Sequence, residues 1–132
     1  MTSAEFRTFC HSLGLSAKAL AALARVQERS VRHWWSDGQP PAGVVELVQR
    51  LDATMQDETM LAIERVQAET QERGQAPALV QLWAYRSEED LWQAMPAMRG
   101  WMPIQAHSVM LWRTAQALTN LGVKVEISYD KR

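Results

Sequence analysis

The sequence predicts a mainly α-helical protein that closes in a small α+β lobe with about two strands. Three observations carry this prediction. Apolar residues in the first 41 positions recur at helical spacing, and residues 44–73 contain neither glycine nor proline. Beyond residue 76, two short stretches switch to the alternation of strands. The expected organisation is an N-terminal helical region over 1–41, a long connecting helix over 42–76 and a C-terminal lobe over 77–132.

Each element follows from local chemistry. Phe6, Phe9, Cys10 and Leu13 stand three and four apart, so residues 3–12 read as a first helix, with Ser3 as its expected N-cap and Gly14 as its end. Ser16 caps the alanine-rich segment AKALAALA, whose stripe carries Leu20 and Leu23. The chain then turns at Arg25 and Val26, and a third helix begins near Gln27. "SDGQPP" stops it, because Gly38 is free to become left-handed and two prolines cannot continue a helix. From Ala42 to about Arg73, Val44, Leu47, Val48, Leu51, Met55, Ile63 and Val66 form a rough stripe on one long helix or two nearly collinear ones.

After "RGQAP", the segment ALVQLWAY alternates Leu79, Gln81, Trp83 and Tyr85 against Val80, Leu82 and Ala84, as a strand does. Ser87, with Asp90 three residues on, caps a short helix, and a Pro/Gly-interrupted loop follows. Residues 104–121 read as a helix stopped by Gly122, and VKVEISY as a closing strand. Whether the two strands pair within one chain or across a dimer axis is open at this point.

Composition narrows function. With 132 residues, 47% of them hydrophobic, the chain has material for one core, and its composition does not suggest disorder. No run approaches the roughly 18 apolar residues of a membrane span. The N-terminus lacks the apolar stretch of a secretion signal, so the expected location is the cytoplasm. Cys10 is the single cysteine and cannot form an internal disulfide; with His33 and His107 distant in sequence, no metal or cofactor is expected.

Catalysis is not expected either. There is no Gly-rich phosphate loop, and Cys10 and His11 are adjacent on a helix, where neighbouring side chains diverge. The acidic run Glu88, Glu89, Asp90 is explained by helix capping and the helix dipole. The net charge of −1 hides an uneven distribution: +2 over residues 1–50, −4 over 51–76 and +1 over the rest. The distribution places the expected polyanion contact in the first third.

The segment RVQERSVRHWWSDGQPP concentrates that charge. On a helix, Val31 and Trp34 face inward together, while Glu28 with Arg32 and Arg29 with His33 line the opposite side. Two short helices joined by a tight turn, the second carrying such a row, are the helix-turn-helix arrangement that places its second helix in the major groove. Arg29 stands near the start of the third helix and can bond both O6 and N7 of guanine, against the alternative of a solvated arginine. Glu28 either accepts from cytosine N4 or orients Arg32. His33 reads a base or merely occupies surface, and Trp35 is either the edge of a dimer contact or an indole donor to phosphate.

The same residues carry a resemblance. Ala21, Val26, Val31, Trp34 and the Gly-x-Pro exit resemble the repressor-type helix-turn-helix of phage Cro and C repressors. More narrowly, RVQERSVRHW and AHSVMLW resemble the recognition segment and the C-terminal helix of the anti-CRISPR-associated autoregulators and YdiL-like bacterial regulators. That resemblance implies a homodimeric repressor that binds an inverted repeat, often in its own promoter. Carried over by position, it implies base contacts from Gln27, Glu28, Arg29 and His33 with Arg32 beside them. Ser16, Lys18, Ser36 and Gln39 fall where phosphate contacts are usual. The chain departs from the pattern at Arg25, where glycine is usual; at Trp35, where an acid is common; and at Asp37, which looks inserted and implies a displaced helix end.

A dimer also suits the physics, since one short helix reads only a few base pairs and two-fold symmetry doubles the contacts. Leu82, Trp83, Trp92, Trp101, Met102, Met110 and Trp112 exceed what a small two-stranded lobe is expected to cover. The surplus points to an interface, against the alternative that all are lobe core. Two other partner classes compete with operator DNA: a basic protein bound by the lobe and the acidic helix, as in an antitoxin, and a structured RNA read by the same helix.

Overall fold

In the computed structural model, which describes residues 1–131, six α-helices and two short strands follow one another in the order α1–α4, β1, α5, α6, β2. Helix α1 spans Ser3–Ser12, and its cap is Thr2 rather than Ser3. Thr2 Oγ1 accepts from the Glu5 N–H at 3.1 Å, and Glu5 Oε1 accepts from the Thr2 N–H at 2.9 Å, a reciprocal capping box. These bonds, the backbone one first, hold the Glu5 carboxyl below its usual pKa. Ser3 lies inside the first turn instead, and its hydroxyl donates to the Gly38 carbonyl at 2.8 Å, tying the start of α1 to the exit from the third helix.

Helix α2 spans Ala17–Ala24, with the Ser16 hydroxyl oxygen accepting from the Ala19 N–H. It ends on Arg25, which is left-handed at φ 59°, and the Val26 N–H closes the turn onto the Ala21 carbonyl. Helix α3, Glu28–Ser36, starts two residues later. The expectation of a left-handed Gly38 is corrected, since Gly38 is not among the residues with positive φ. The glycine lets the His33 ring lie close: a Cβ there would fall 2.5 Å from Cδ2 of that ring, which would have to move aside.

Helix α4 is a single helix of 32 residues, Ala42–Arg73, about 48 Å long, ending on left-handed Gly74. Its buried stripe is Val48, Leu51, Met55 and Val66. Strand β1, Val80–Ala84, and strand β2, Val125–Tyr129, pair in parallel within the chain, with Val80 opposite Val125 and Ala84 opposite Tyr129. A parallel pair needs a long crossover. Helix α5 (Glu88–Ala94), a 3₁₀ turn at Pro96–Met98 and helix α6 (Ile104–Asn120) supply it. Helix α6 then packs on both strands and along α4. Between α4 and α6, Arg113 pairs with Asp52 at 2.9 Å and the Thr59 and Thr114 hydroxyls lie 3.0 Å apart.

The main core crosses the expected boundaries at 41/42 and 76/77. Phe6, Cys10, Leu13, Leu15, Leu20 and Val31 share one cluster with Leu51, Met55, Leu91, Met98, Met102 and Met110. A smaller cluster of Val66, Leu118 and Val123 sits under the sheet, with Val80 and Val125 against it. This corrects the expectation that Met102 and Met110 face a second copy. They are 0% and 4% exposed and belong to the chain's own interior. Leu82, Trp92 and Trp101 are half-buried, whereas Trp83 and Trp112 are 46% and 62% exposed. No helix among the described residues is long and apolar enough to cross a membrane.

Candidate nucleic-acid interface

The amphipathic sequence of α3 determines which way it faces. Val31 and Trp34 are buried against the core shared with α1 and α2, which fixes the helix by one side. Gln27, Arg29, Arg32 and His33 are then exposed on its other flanks, with Glu28 half-buried beside them. The turn between α2 and α3 is short because Arg25 adopts the conformation that a glycine usually supplies.

These exposed groups differ in how far their bonding is already committed. Arg29 makes no hydrogen bond or ion pair with the described residues. Gln27 occupies the N-cap but its side chain caps nothing, so its amide keeps a donor and an acceptor for another partner. Arg32 is held at 2.9 Å by Glu28, four residues back, which supports the orienting reading of Glu28. His33 Nδ1 lies 3.1 Å from Asp37 Oδ1, and its ring rests over Gly38.

The residues expected at phosphates divide in the same way. Lys18 and Gln39 are exposed, and neither is joined to a described side chain. The Ser16 oxygen accepts the capping bond, which leaves its O–H to donate elsewhere. Ser36 is less free, because its hydroxyl is turned onto the Arg32 and His33 carbonyls at 3.0 and 3.2 Å and onto Asp37 Oδ1. A phosphate would have to displace those bonds.

Trp35 packs inward. Its ring meets the edge of His11 at 4.9 Å and 79°, and its indole N–H is buried with no hydrogen-bond partner. A donor so enclosed does not reach a phosphate. Beside it, burial pushes the Cys10 thiol up to about 11. Such a thiol is a core group and not a nucleophile.

Two features have no local mark in the sequence. Glu88 Oε2 accepts from the Ile104 N–H at 3.1 Å, capping α6 from sixteen residues away. The one hint is the start of α6 itself, where Pro103 stands at the cap and makes no side-chain bond. His107 is 2% exposed with Nδ1 unpartnered, and burial holds its pKa down at about 4. Among known proteins, no family model matches the chain and no curated protein matches it.

Proposed function

We propose that the chain is a sequence-specific DNA-binding repressor that acts as a homodimer on an inverted-repeat operator, with the promoter of its own operon as the first candidate. In this reading α2 and α3 are a helix-turn-helix and α3 enters the major groove. The observation that carries it is Arg29, a cation with no internal partner, placed one residue into a helix anchored from behind by Val31 and Trp34. A guanidinium so placed and so unoccupied suits the O6 and N7 edge of guanine.

The neighbouring residues take graded roles. Gln27 offers its amide to an adjacent base, while Glu28 directs Arg32 along the groove wall. Ser16, Lys18 and Gln39 grip backbone phosphates, supplying orientation without sequence preference. His33 is poised by Asp37, and Ser36 contributes only after giving up its helix carbonyls. Dimerisation draws on the exposed apolar side chains of the C-terminal part, Trp83 and Trp112 foremost, with the half-buried Leu82 and Trp101 at the margin.

The experiment is a pair of substitutions read on promoter DNA. Arg29→Ala costs about 1–3 kcal/mol per site and relaxes base preference at one position of each half-site. Lys18→Ala weakens all sequences alike and makes the fall of log affinity with log salt shallower by about one per site. An Arg29→Ala protein that binds the operator with unchanged affinity and selectivity contradicts the assigned reading face.

A further inference from the structure

A cleft of about 640 Å³ lies between α2 and the segment that carries α5 and the start of α6. One wall is α2, where Ala19 and Ala22 leave a depression, and the other is built from Trp92, Trp101 and Ile104. Both indoles have spent their N–H groups internally, Trp92 on the Met102 carbonyl at 3.0 Å and Trp101 on the Ala97 carbonyl at 2.7 Å. They therefore offer the cleft aromatic carbon and no donor.

The charge at its rim is specific. Lys18 borders the space and forms no ion pair with the described residues. Helix α2 also begins there at its Ser16 cap, so the positive end of its dipole adjoins the volume, whereas the start of α6 is already met by a carboxylate. Glu88 is the one acid in the lining, and its carboxylate is drawn onto the Ile104 N–H. The volume falls within the range of small-molecule sites, about 300–1,000 Å³.

We infer that this cleft is an effector site for a small, flat, apolar carboxylate, whose rings lie against the indoles and whose acid group pairs with Lys18. The coupling to DNA rests on the function proposed above. Lys18 is there a phosphate contact, so an occupant that captures its ammonium group competes with the operator, and the two ligands weaken each other reciprocally.

The test is an NMR titration of the full chain with naphthalene-1-carboxylate, with its neutral carboxamide as control. The expected result is saturable shifts of the Trp92 and Trp101 indole N–H signals. Lys18→Gln lowers the carboxylate's affinity about two- to fivefold and leaves the carboxamide unaffected. Ala22→Phe, at an exposed position of α2, fills the cleft and abolishes the shifts, and Gln105→Phe does the same from the opposite wall should the first variant fold poorly. No saturable shift, shifts that survive both fillings, or equal binding of the carboxamide overturns the site. In the DNA arm, the carboxylate is expected to weaken promoter binding by the unmodified chain but not by Ala22→Phe. Promoter binding unmoved by saturating carboxylate overturns the effector role. If the indoles respond but no promoter DNA is bound at all, the cleft stands and the repressor reading falls.

Discussion

Arg25 holds the turn between α2 and α3 in a left-handed conformation, φ 59° and ψ 46°, the one non-glycine residue with positive φ among those described. A side chain in that region carries strain that glycine avoids. Arg25→Gly is therefore expected to stabilise the fold by about 0.5–1 kcal/mol, visible as a higher melting temperature. His107 supplies a pH dependence. Its imidazole has an ordinary pKa of 6.5 when unfolded and about 4 when buried, so the unfolded chain takes up a proton that the native one refuses. Full stability holds above about pH 6.5 and is lost progressively down to about pH 4, by roughly 3 kcal/mol in total. His107→Leu should remove that acid limb and leave stability at pH 7 unchanged or higher, because the unpartnered Nδ1 disappears as well. The departure at position 25 can be read from the sequence, since turn chemistry is local. The burial of His107 cannot, because it depends on Tyr85 and the core closing around α6.

Elements were legible wherever their signals were local. Ser16 and Ser87 cap the helices that follow them, α4 runs to Arg73, and the alternation in ALVQLWAY becomes β1. The expectations that failed depended on what lies across space. Thr2 takes the first cap while the Ser3 hydroxyl bonds the Gly38 carbonyl, and Met102, just before α6, and Met110, on it, turn into the core shared with the N-terminal helices. The turn from α1 to α2 shows that approach at its tightest. Gly14 has φ +76°, and a Cβ there would fall 2.8 Å from the Gln105 backbone oxygen in the first turn of α6. Gly14→Ala combines left-handed strain with a backbone clash and is expected to cost about 2 kcal/mol or more, as read by chemical denaturation. Among the proposed reading residues, exposure followed from the spacing of Val31 and Trp34. The division into the free Arg29 and the tethered Arg32 and His33 required side-chain positions.

On the scale of the whole molecule, the helices that face the proposed operator pack into a core shared with the rest of the chain. Phe6, Leu13, Leu15 and Val31 share one buried cluster with Leu91, Met98 and Met102, so α3 is anchored in a core that includes residues from the last third of the chain. A fragment of residues 1–41 is accordingly expected to show little helix by circular dichroism and to bind no DNA specifically, whereas the full chain melts cooperatively. The same bracing connects the cleft to the reading surface, because α2 belongs to both. It also leaves Trp83 and Trp112 outside the core, where the proposed dimer would use them. The most direct test of the central claim is a gel-shift titration of the purified chain against the DNA upstream of its own gene, with scrambled DNA as competitor and Arg29→Ala in parallel. The account predicts a complex that resists the competitor and is lost in the variant. Weak binding that scrambled DNA removes, equal for both proteins, would contradict it and direct attention to a protein or RNA partner.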